Sequence, residues 1–403
     1  MIIRKPYLQQ LLNYENTEFI KVITGIRRAG KSVLMQQYGE YLINKGIKKE
    51  NIFYLNFEDM SFSHLLNAQA LFDHFKVGIN TQEKVYFLLD EVQLVEDWQV
   101  VVNSLRVSFN SDITITGSNA KMLSGELATN LSGRYVEIKV YPLSFKEFVA
   151  FSEIDTNDAL AVQQALKPYM HYGGFPAVVL SNEGIKDSII GGIYDTVLLN
   201  DVAYRAAVRE PVALKLLTNF LAANVGQQSS ANNIANTLSV GKLKVSAPTI
   251  SSYLRMLEDA FLIYQAQRYD IRGKEILRTN NKYYFADLGL RRLALSGRSS
   301  GAGGDLENLV YLELIRRGYQ VDVGQLQGGE EVDFVARRLN KVLYVQVTYE
   351  IPANSNRETD NLLKIRDQYE KILITQRAYE YTEIDGVPVI NIVDWLMQAD
   401  EAQ

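Results

Sequence analysis

Residues 25 to 32 read Gly-Ile-Arg-Arg-Ala-Gly-Lys-Ser, a full match to the pattern GxxxxGK[ST]. Glycines at this spacing let the backbone curl until its N–H groups converge on a polyphosphate. A helix opening at Lys31 adds unpaired N–H groups and a dipole that favours anions. Lys31 can then reach the β- and γ-phosphates while the Ser32 hydroxyl ligates Mg²⁺. The expected nucleotide contacts are Gly25, Arg27, Arg28, Ala29, Gly30, Lys31, Ser32 and Val33. Such a loop also needs a carboxylate for the metal and a group that directs the attacking water. Lys84 to Glu91 ends in that pair: Asp90 is expected to serve Mg²⁺ with Ser32, and Glu91 to be the base. Ser118 and Asn119, closing the run Asp112 to Asn119, are placed to contact the γ-phosphate or the water.

These residues require elements to hold them. Phe19 to Thr24 reads as a short buried strand, residues 25 to 30 as a loop, and Lys31 to about Lys45 as an amphipathic helix. The unbroken apolar run before Asp90 indicates a strand covered on both faces, as in parallel sheets. Ligands gather at the carboxyl ends of such strands.

The whole chain has 403 residues, 47% of them hydrophobic and 22% charged, enough for two to four ordinary domains. It has no cysteine, which excludes disulfides, thiolate metal sites and cysteine nucleophiles, and three histidines leave little for metal binding. No apolar run reaches membrane-spanning length, and Met1 to Pro6 is too short an apolar segment for a secretory leader. The expected place is the cytoplasm. With 42 basic and 47 acidic side chains, the net charge of -5 gives no overall pull toward nucleic acid, so any basic surface must be local.

Further motifs carry a family likeness: Thr116-Gly117-Ser118-Asn119, Leu131-Ser132-Gly133-Arg134, Tyr141-Pro142-Leu143-Ser144-Phe145-Lys146-Glu147-Phe148, and Tyr172-Gly173-Gly174-Phe175-Pro176. With the two nucleotide motifs they make the chain, over nearly its whole length, resemble bacterial and archaeal AAA-type ATPases that carry a C-terminal domain of unknown function, DUF4143. The resemblance implies an α/β protein: a P-loop AAA+ core with a parallel sheet (1–150), a helical lid (151–209), a winged helix (210–295) and a restriction-endonuclease-like α/β domain (296–403). It also implies a γ-phosphate sensor at Ser118 or Asn119, and Arg134 as a candidate to neutralise transition-state charge, on its own nucleotide or a neighbour's. Gly173, Gly174 and Pro176 would form the hinge into the lid. Ring formation is part of the same picture, a hexamer among the options.

In the middle, Asp201 and Arg205 stand four apart and can pair on a helix surface. Helices are expected from Pro211, from Ser230 to Leu238 and from Pro248 to Leu257, with strands at Phe261 to Gln267 and Lys282 to Phe285. Three helices and a hairpin describe a winged helix-turn-helix. DNA contacts would come from Lys242, Lys244, Thr249, Ser251, Ser252 and Arg255, with Arg268, Arg272, Lys274 and Arg278 on the wing, and Lys282 adds a fifth basic residue to that last stretch. Those five basic residues outnumber Asp270 and Glu275, though Glu258 and Asp259 favour a protein-binding module instead.

Ser296 to Gly304 reads as a linker, followed by a helix at Asp305 to Leu314 and strands at Glu330 to Ala336 and Lys341 to Thr348. Glu307 and Asp333 match the metal-holding carboxylates of the nuclease-like fold. Gln346 and Thr348 stand where an active member has a carboxylate and a lysine. An amide cannot replace that charge and a hydroxyl cannot supply a cation, so the expected site is degenerate. A variant set through Glu331 or Glu350 is the lesser alternative. The sequence thus points to an ATP- and Mg²⁺-dependent ATPase coupled to DNA binding or remodelling. The rivals are a nucleotide switch scaffolding protein partners and an ATP-dependent nuclease.

Overall fold

A computed structural model describes residues 2–79, 82–120, 133–204, 210–239, 245–296, 301–351, 357–377 and 382–398. The chain divides into two compact units, Met1–Tyr141 with Asp259–Phe261, and Pro142–Glu258 with Leu262–Gln403.

The first unit is built on five parallel strands: β1 (Ile20–Thr24), β2 (Ile52–Asn56), β3 (Val85–Asp90), β4 (Ser111–Thr116) and β5 (Tyr135–Lys139), in the order β2-β3-β4-β1-β5. Every residue of β1 and β3 is buried. Phe75, Phe87, Leu89, Val102 and Ile115 pack one face of the sheet into a dry core. Even Lys21, in the middle of β1, is fully buried, and its ammonium is satisfied by Asp112. Because β1 lies between β4 and β5, its carboxyl end is where the connections part to opposite sides, the crevice in which open α/β sheets bind ligands.

The second unit opens with helices Phe145–Phe151, Ala159–Tyr172, Pro176–Val179 and Glu183–Asp195, the last continuing as a wide-turned helix over Thr196–Tyr204. Its two family-like runs have local physical reasons. Ser144 and Glu147 form a reciprocal cap, the Glu147 N–H donating to Ser144 Oγ at 3.2 Å and the Ser144 N–H to Glu147 Oε2 at 3.0 Å. The Leu143 N–H donates to the Gly174 carbonyl at 2.7 Å, and the Gly174 N–H donates to Asp287 Oδ2 at 2.7 Å. A Cβ on Gly173, which has φ +76°, would meet Asp287 at 2.0 Å. The Gly173-Gly174 pair, expected as a hinge, is clamped between backbone and carboxylate.

Helices Pro211–Ala223, Ala231–Ser239 and Ala247–Asp259 follow in the expected order, then a hairpin of β6 (Ile263–Asp270) and β7 (Glu275–Phe285). The third helix buries Ile250, Tyr253, Leu254 and Leu257, the spacing of one face. The hairpin is not a free wing. It is the edge of an eight-stranded sheet completed by β8 (Gln320–Gln325), β9 (Glu331–Arg338), β10 (Lys341–Thr348), β11 (Glu370–Thr375), β12 (Glu383–Ile384) and β13 (Val387–Asn391), in the order β12-β13-β11-β10-β9-β8-β6-β7. β6 runs parallel to β8, pairing Arg268 with Val323 and Asp270 with Gln325. The expected boundary at 295/296 therefore falls within one sheet. Ala302 to Gly304, read as linker, begin the helix Ala302–Arg316. The helix Arg357–Leu363 precedes the approach to β11.

Candidate functional site

The loop between β1 and the helix Lys31–Asn44 has left-handed backbone at Gly25 (φ +136°), Arg28 (φ +68°) and Gly30 (φ +100°). A Cβ on Gly25 would lie 2.0 Å from the Val140 carbonyl oxygen, so no other residue fits there without moving the chain. Lys31 is 4% exposed. Its Nζ donates to the Gly25 carbonyl at 3.0 Å and to the Ile26 carbonyl at 3.4 Å, and lies 3.9 Å from Glu91 Oε1.

The expected Mg²⁺ carboxylate, Asp90, closes β3 with no exposure. It accepts hydrogen bonds from the hydroxyls of Thr116 and of Tyr54, the latter at 3.1 Å. The Thr116 hydroxyl also accepts the Glu91 N–H at 2.8 Å. Thr116 thus fixes the side chain of one acidic residue and the backbone of the next. Burial, then the neighbouring Asp90, push the Tyr54 phenol up to about 12, so it stays a donor. Glu91 sits at φ +54° and its carboxylate takes a hydrogen bond from Gln93. Ser118 is 1% exposed, and its Oγ has no hydrogen-bond partner among the described residues; Asn119 beside it is half-buried. A buried hydroxyl without a partner, two residues past Thr116, suits a polar ligand. The donor set fits Mg²⁺ held through Ser32 and Asp90: a hydroxyl at the start of a helix and a carboxylate at the end of β3, both oxygen ligands.

Three other expected contacts lie around the loop. Arg27 Nη2 turns to Glu58 at 2.6 Å, Arg28 is exposed, and Val33 is 41% exposed on the helix. Arg134 is exposed just before β5, where its carbonyl accepts the Ile20 N–H. That is the amino end of a five-residue strand, about 16 Å from its carboxyl end. It cannot serve the pocket of its own chain. Leu131 and Ser132 lie outside the described residues.

In the second unit, Glu307 on the helix Ala302–Arg316 and Asp333 on β9 do come together, around an ammonium no motif supplied. Lys282, on β7 and 4% exposed, lies 3.2 Å from Glu307 Oε1 and 3.1 Å from Glu331 Oε2. Burial alone would lower its pKa, but Glu307, Asp333 and Glu331 outweigh that and raise it. Burial and then repulsion from Glu307 push the Asp333 carboxyl up to about 8, against the pull of Lys282. The Tyr284 hydroxyl donates to Glu307 at 2.6 Å, and the Val347 N–H to Asp333 Oδ2 at 2.8 Å. Gln346 accepts the Asp333 N–H at 3.3 Å and reaches Glu358 at 3.5 Å; Thr348 turns away to the Glu350 carbonyl at 2.8 Å. A divalent ion implied by the nuclease-like resemblance does not fit this arrangement, because Lys282 already stands between the carboxylates. No group of three or more His, Cys, Asp or Glu side chains placed to hold a metal ion occurs among the described residues.

The DNA face is thinner than expected. Lys282 is withdrawn into that cluster. Arg268 is half-buried and donates to Gln325 at 2.6 Å. Arg255, Arg272 and Lys274 are exposed, while Ser251, Ser252 and Thr249 are half-buried, with Thr249 bonded to Ser246 at 2.8 Å. Lys242, Lys244, Arg205 and the side chain of Arg278 lie outside the described residues. Asp201 is buried.

Tyr54 and Gln93 stand in none of the motifs; Thr116 stands in a family-like run without a role, and Lys282 was read only as one of the basic residues beside the wing. Lys282 left one trace, a lysine beside the apolar strand Tyr283-Tyr284-Phe285.

No described helix is long and apolar enough to cross a membrane. Residues 17–149 match the model of an AAA domain (AAA_14), and residues 163–302 match a domain of unknown function, DUF8612, where DUF4143 was expected for the tail. An uncharacterized protein of Haemophilus influenzae is 54% identical over 399 residues, 99% of each chain. The uncharacterized protein MJ1544 of Methanocaldococcus jannaschii is 35% identical over 84% of this chain and 77% of its own. Among solved structures, the Walker-type ATPase PABY2304 of Pyrococcus abyssi is similar at 16% identity, over 73% of this chain and 96% of that one, with a TM-score of 0.47. With its P-loop, parallel sheet and these relatives, the chain belongs to an AAA-domain family of P-loop ATPases found in both bacteria and archaea.

Proposed function

We propose that the protein binds and hydrolyses Mg²⁺-ATP in its first unit and uses that cycle to control engagement of DNA by its second. The observation that carries the ATPase half is the convergence of Lys31, Asp90, Glu91, Thr116 and Ser118 at the carboxyl ends of β1, β3 and β4. In this reading Lys31 and the loop N–H groups hold the phosphates. Ser32 and Asp90 hold Mg²⁺, which when bound neutralises charge on the phosphates. Glu91 orients the attacking water. Ser118 senses the γ-phosphate with Asn119. Arg134, exposed and remote from its own pocket, is suited to a neighbouring copy's nucleotide in a homo-oligomer.

The DNA half rests on the three helices ahead of a hairpin and on Arg255, Arg272 and Lys274. The tail, of the DUF4143 nuclease-like kind in this reading, binds without cutting, because Lys282 fills its acidic site. Titration calorimetry with ATP and ADP, paired with phosphate release, tests the first half. Lys31→Ala is expected to abolish binding, and Glu91→Gln to keep binding while stopping turnover. Equal turnover in both variants and wild type would remove the assignment. Gel-shift titration across salt tests the second half. Salt-steep DNA binding lost on replacing Arg255, Arg272 and Lys274 supports it, whereas no binding at low salt favours a switch that scaffolds proteins.

A further inference from the structure

Arg4 stands just ahead of the helix Lys5–Asn13 and is 5% exposed. Its Nη1 donates to the Ala29 carbonyl at 3.0 Å and to the Tyr141 carbonyl at 2.9 Å, and its guanidinium lies 4.4 Å from the centre of the Tyr7 ring. Ala29 belongs to the P-loop, 25 residues away in sequence.

The identity of that carbonyl matters. It is one end of the Ala29–Gly30 peptide, whose other end is the Gly30 N–H. Loops of this pattern cradle phosphates with such amides, and Gly30 is the last residue before the helix. A hydrogen bond from a cation draws electron density onto the carbonyl oxygen and leaves the N–H of the same peptide a stronger donor. Burial keeps the guanidinium charge from being screened by water or salt. The same side chain also ties the loop to Tyr141, the residue after Val140, against whose carbonyl Gly25 is packed.

We propose that Arg4 is a positioning residue for nucleotide binding, acting through the Ala29–Gly30 peptide: it holds the P-loop in its phosphate-binding curl and strengthens the Gly30 N–H without touching the ligand. This rests on the nucleotide reading above. The plainer role is a peg for the amino-terminal segment, and Tyr7 supplies the control. Its hydroxyl accepts the Tyr141 N–H at 3.3 Å. Tyr7→Phe therefore removes an anchor of the same segment and leaves the Arg4–Ala29 bond in place.

The test uses the full chain, with Kd for Mg²⁺-ATP and Mg²⁺-ADP by calorimetry, KM and kcat for ATP, and thermal midpoints. Arg4→Gln is expected to raise Kd and KM about tenfold while kcat stays within about threefold, the size of one charge-assisted bond. Arg4→Lys, which keeps the charge and one donor, is expected to recover part of the affinity. Tyr7→Phe is expected to lower the midpoint and leave Kd unchanged. Wild-type affinity in Arg4→Gln and Arg4→Lys would overturn the proposal. So would an affinity loss in Tyr7→Phe that matches Arg4→Gln at equal loss of midpoint. A wild-type chain that binds no nucleotide would overturn the nucleotide reading and this proposal together, whereas normal wild-type binding with unaffected Arg4 variants overturns this one alone.

Discussion

The Nζ of Lys282 lies 3.2 Å from Oε1 of Glu307, joining an edge strand to a helix on the far side of what the sequence presents as a linker. Lys282→Met would leave Glu307, Glu331 and Asp333 without their cation. Removing one partner of a buried ion pair costs about 3–5 kcal/mol. A clear drop in the thermal midpoint at pH 7 is expected, with partial recovery in the double variant Lys282→Met/Glu307→Gln. An unchanged midpoint in the single variant would show that the pairing contributes nothing.

Asp333 makes stability fall as pH rises. Its folded pKa, raised to about 8, lies above its unfolded value, so between the two the folded state binds more protons than the unfolded one. Stability from this group is full near pH 4 and is lost on approach to pH 8. Asp333→Asn, which can still accept the Val347 N–H, is expected to match wild type near pH 4 and to exceed it increasingly from there to pH 8. Even one unit of the shift corresponds to about 1.4 kcal/mol. Denaturant midpoints measured across that range give the sign directly.

Thr116 bonds both the Asp90 carboxylate and the Glu91 backbone. Thr116→Val keeps the shape and removes both bonds. Loss of a partner that orients a metal ligand typically costs about 10–100-fold, so kcat and apparent Mg²⁺ affinity are expected to fall by that order. ADP affinity in the presence of a chelator is expected to hold, because the P-loop itself is untouched. Equal losses with and without Mg²⁺ would place Thr116 in general folding instead.

Gly25→Ala would press a methyl against the Val140 carbonyl and strain a backbone angle of φ +136°. Both effects act on the P-loop. Nucleotide binding is expected to disappear, with a stability loss of about 1–3 kcal/mol from the backbone alone.

Incubation of linear or branched DNA with Mg²⁺ or Mn²⁺ is expected to leave the DNA intact. Cleavage that vanished in Asp333→Ala would show instead that the carboxylates accept a metal despite Lys282.

The candidate nucleotide site was largely legible in the sequence because its elements are local. Gly25 to Ser32 is one continuous turn, and Asp90-Glu91 ends a strand whose apolar run announces it. Thr116 and Tyr54 could not be read off, since what gives them work is the lateral order of β2, β3 and β4, a long-range fact. The acidic cluster failed for the same reason on a larger scale. Glu307 and Asp333 were found from a resemblance, but the cation beside them comes from a strand assigned to another domain. Whether Arg134 faces its own nucleotide or a neighbour's could not be read, because a motif gives no strand direction, and in a parallel sheet the two ends of one strand face different chemistry. β8 and β11 to β13 were missed: they are short, and the sheet that gives them their place rests on pairings distant in sequence, β6 with β8 and β10 with β11.

The zipper of β6 to β8 decides how this protein can be dissected. A truncated chain stopping before the helix Ala302–Arg316 would strip the hairpin of its neighbour and present a bare row of amides and carbonyls, the kind of border on which molecules stick to one another. Such a fragment would precipitate rather than report on DNA. The main boundary between the units falls at Tyr141 and Pro142, with Asp259–Phe261 grouped in the first, so a fragment of the second unit must keep everything downstream of Pro142 whole.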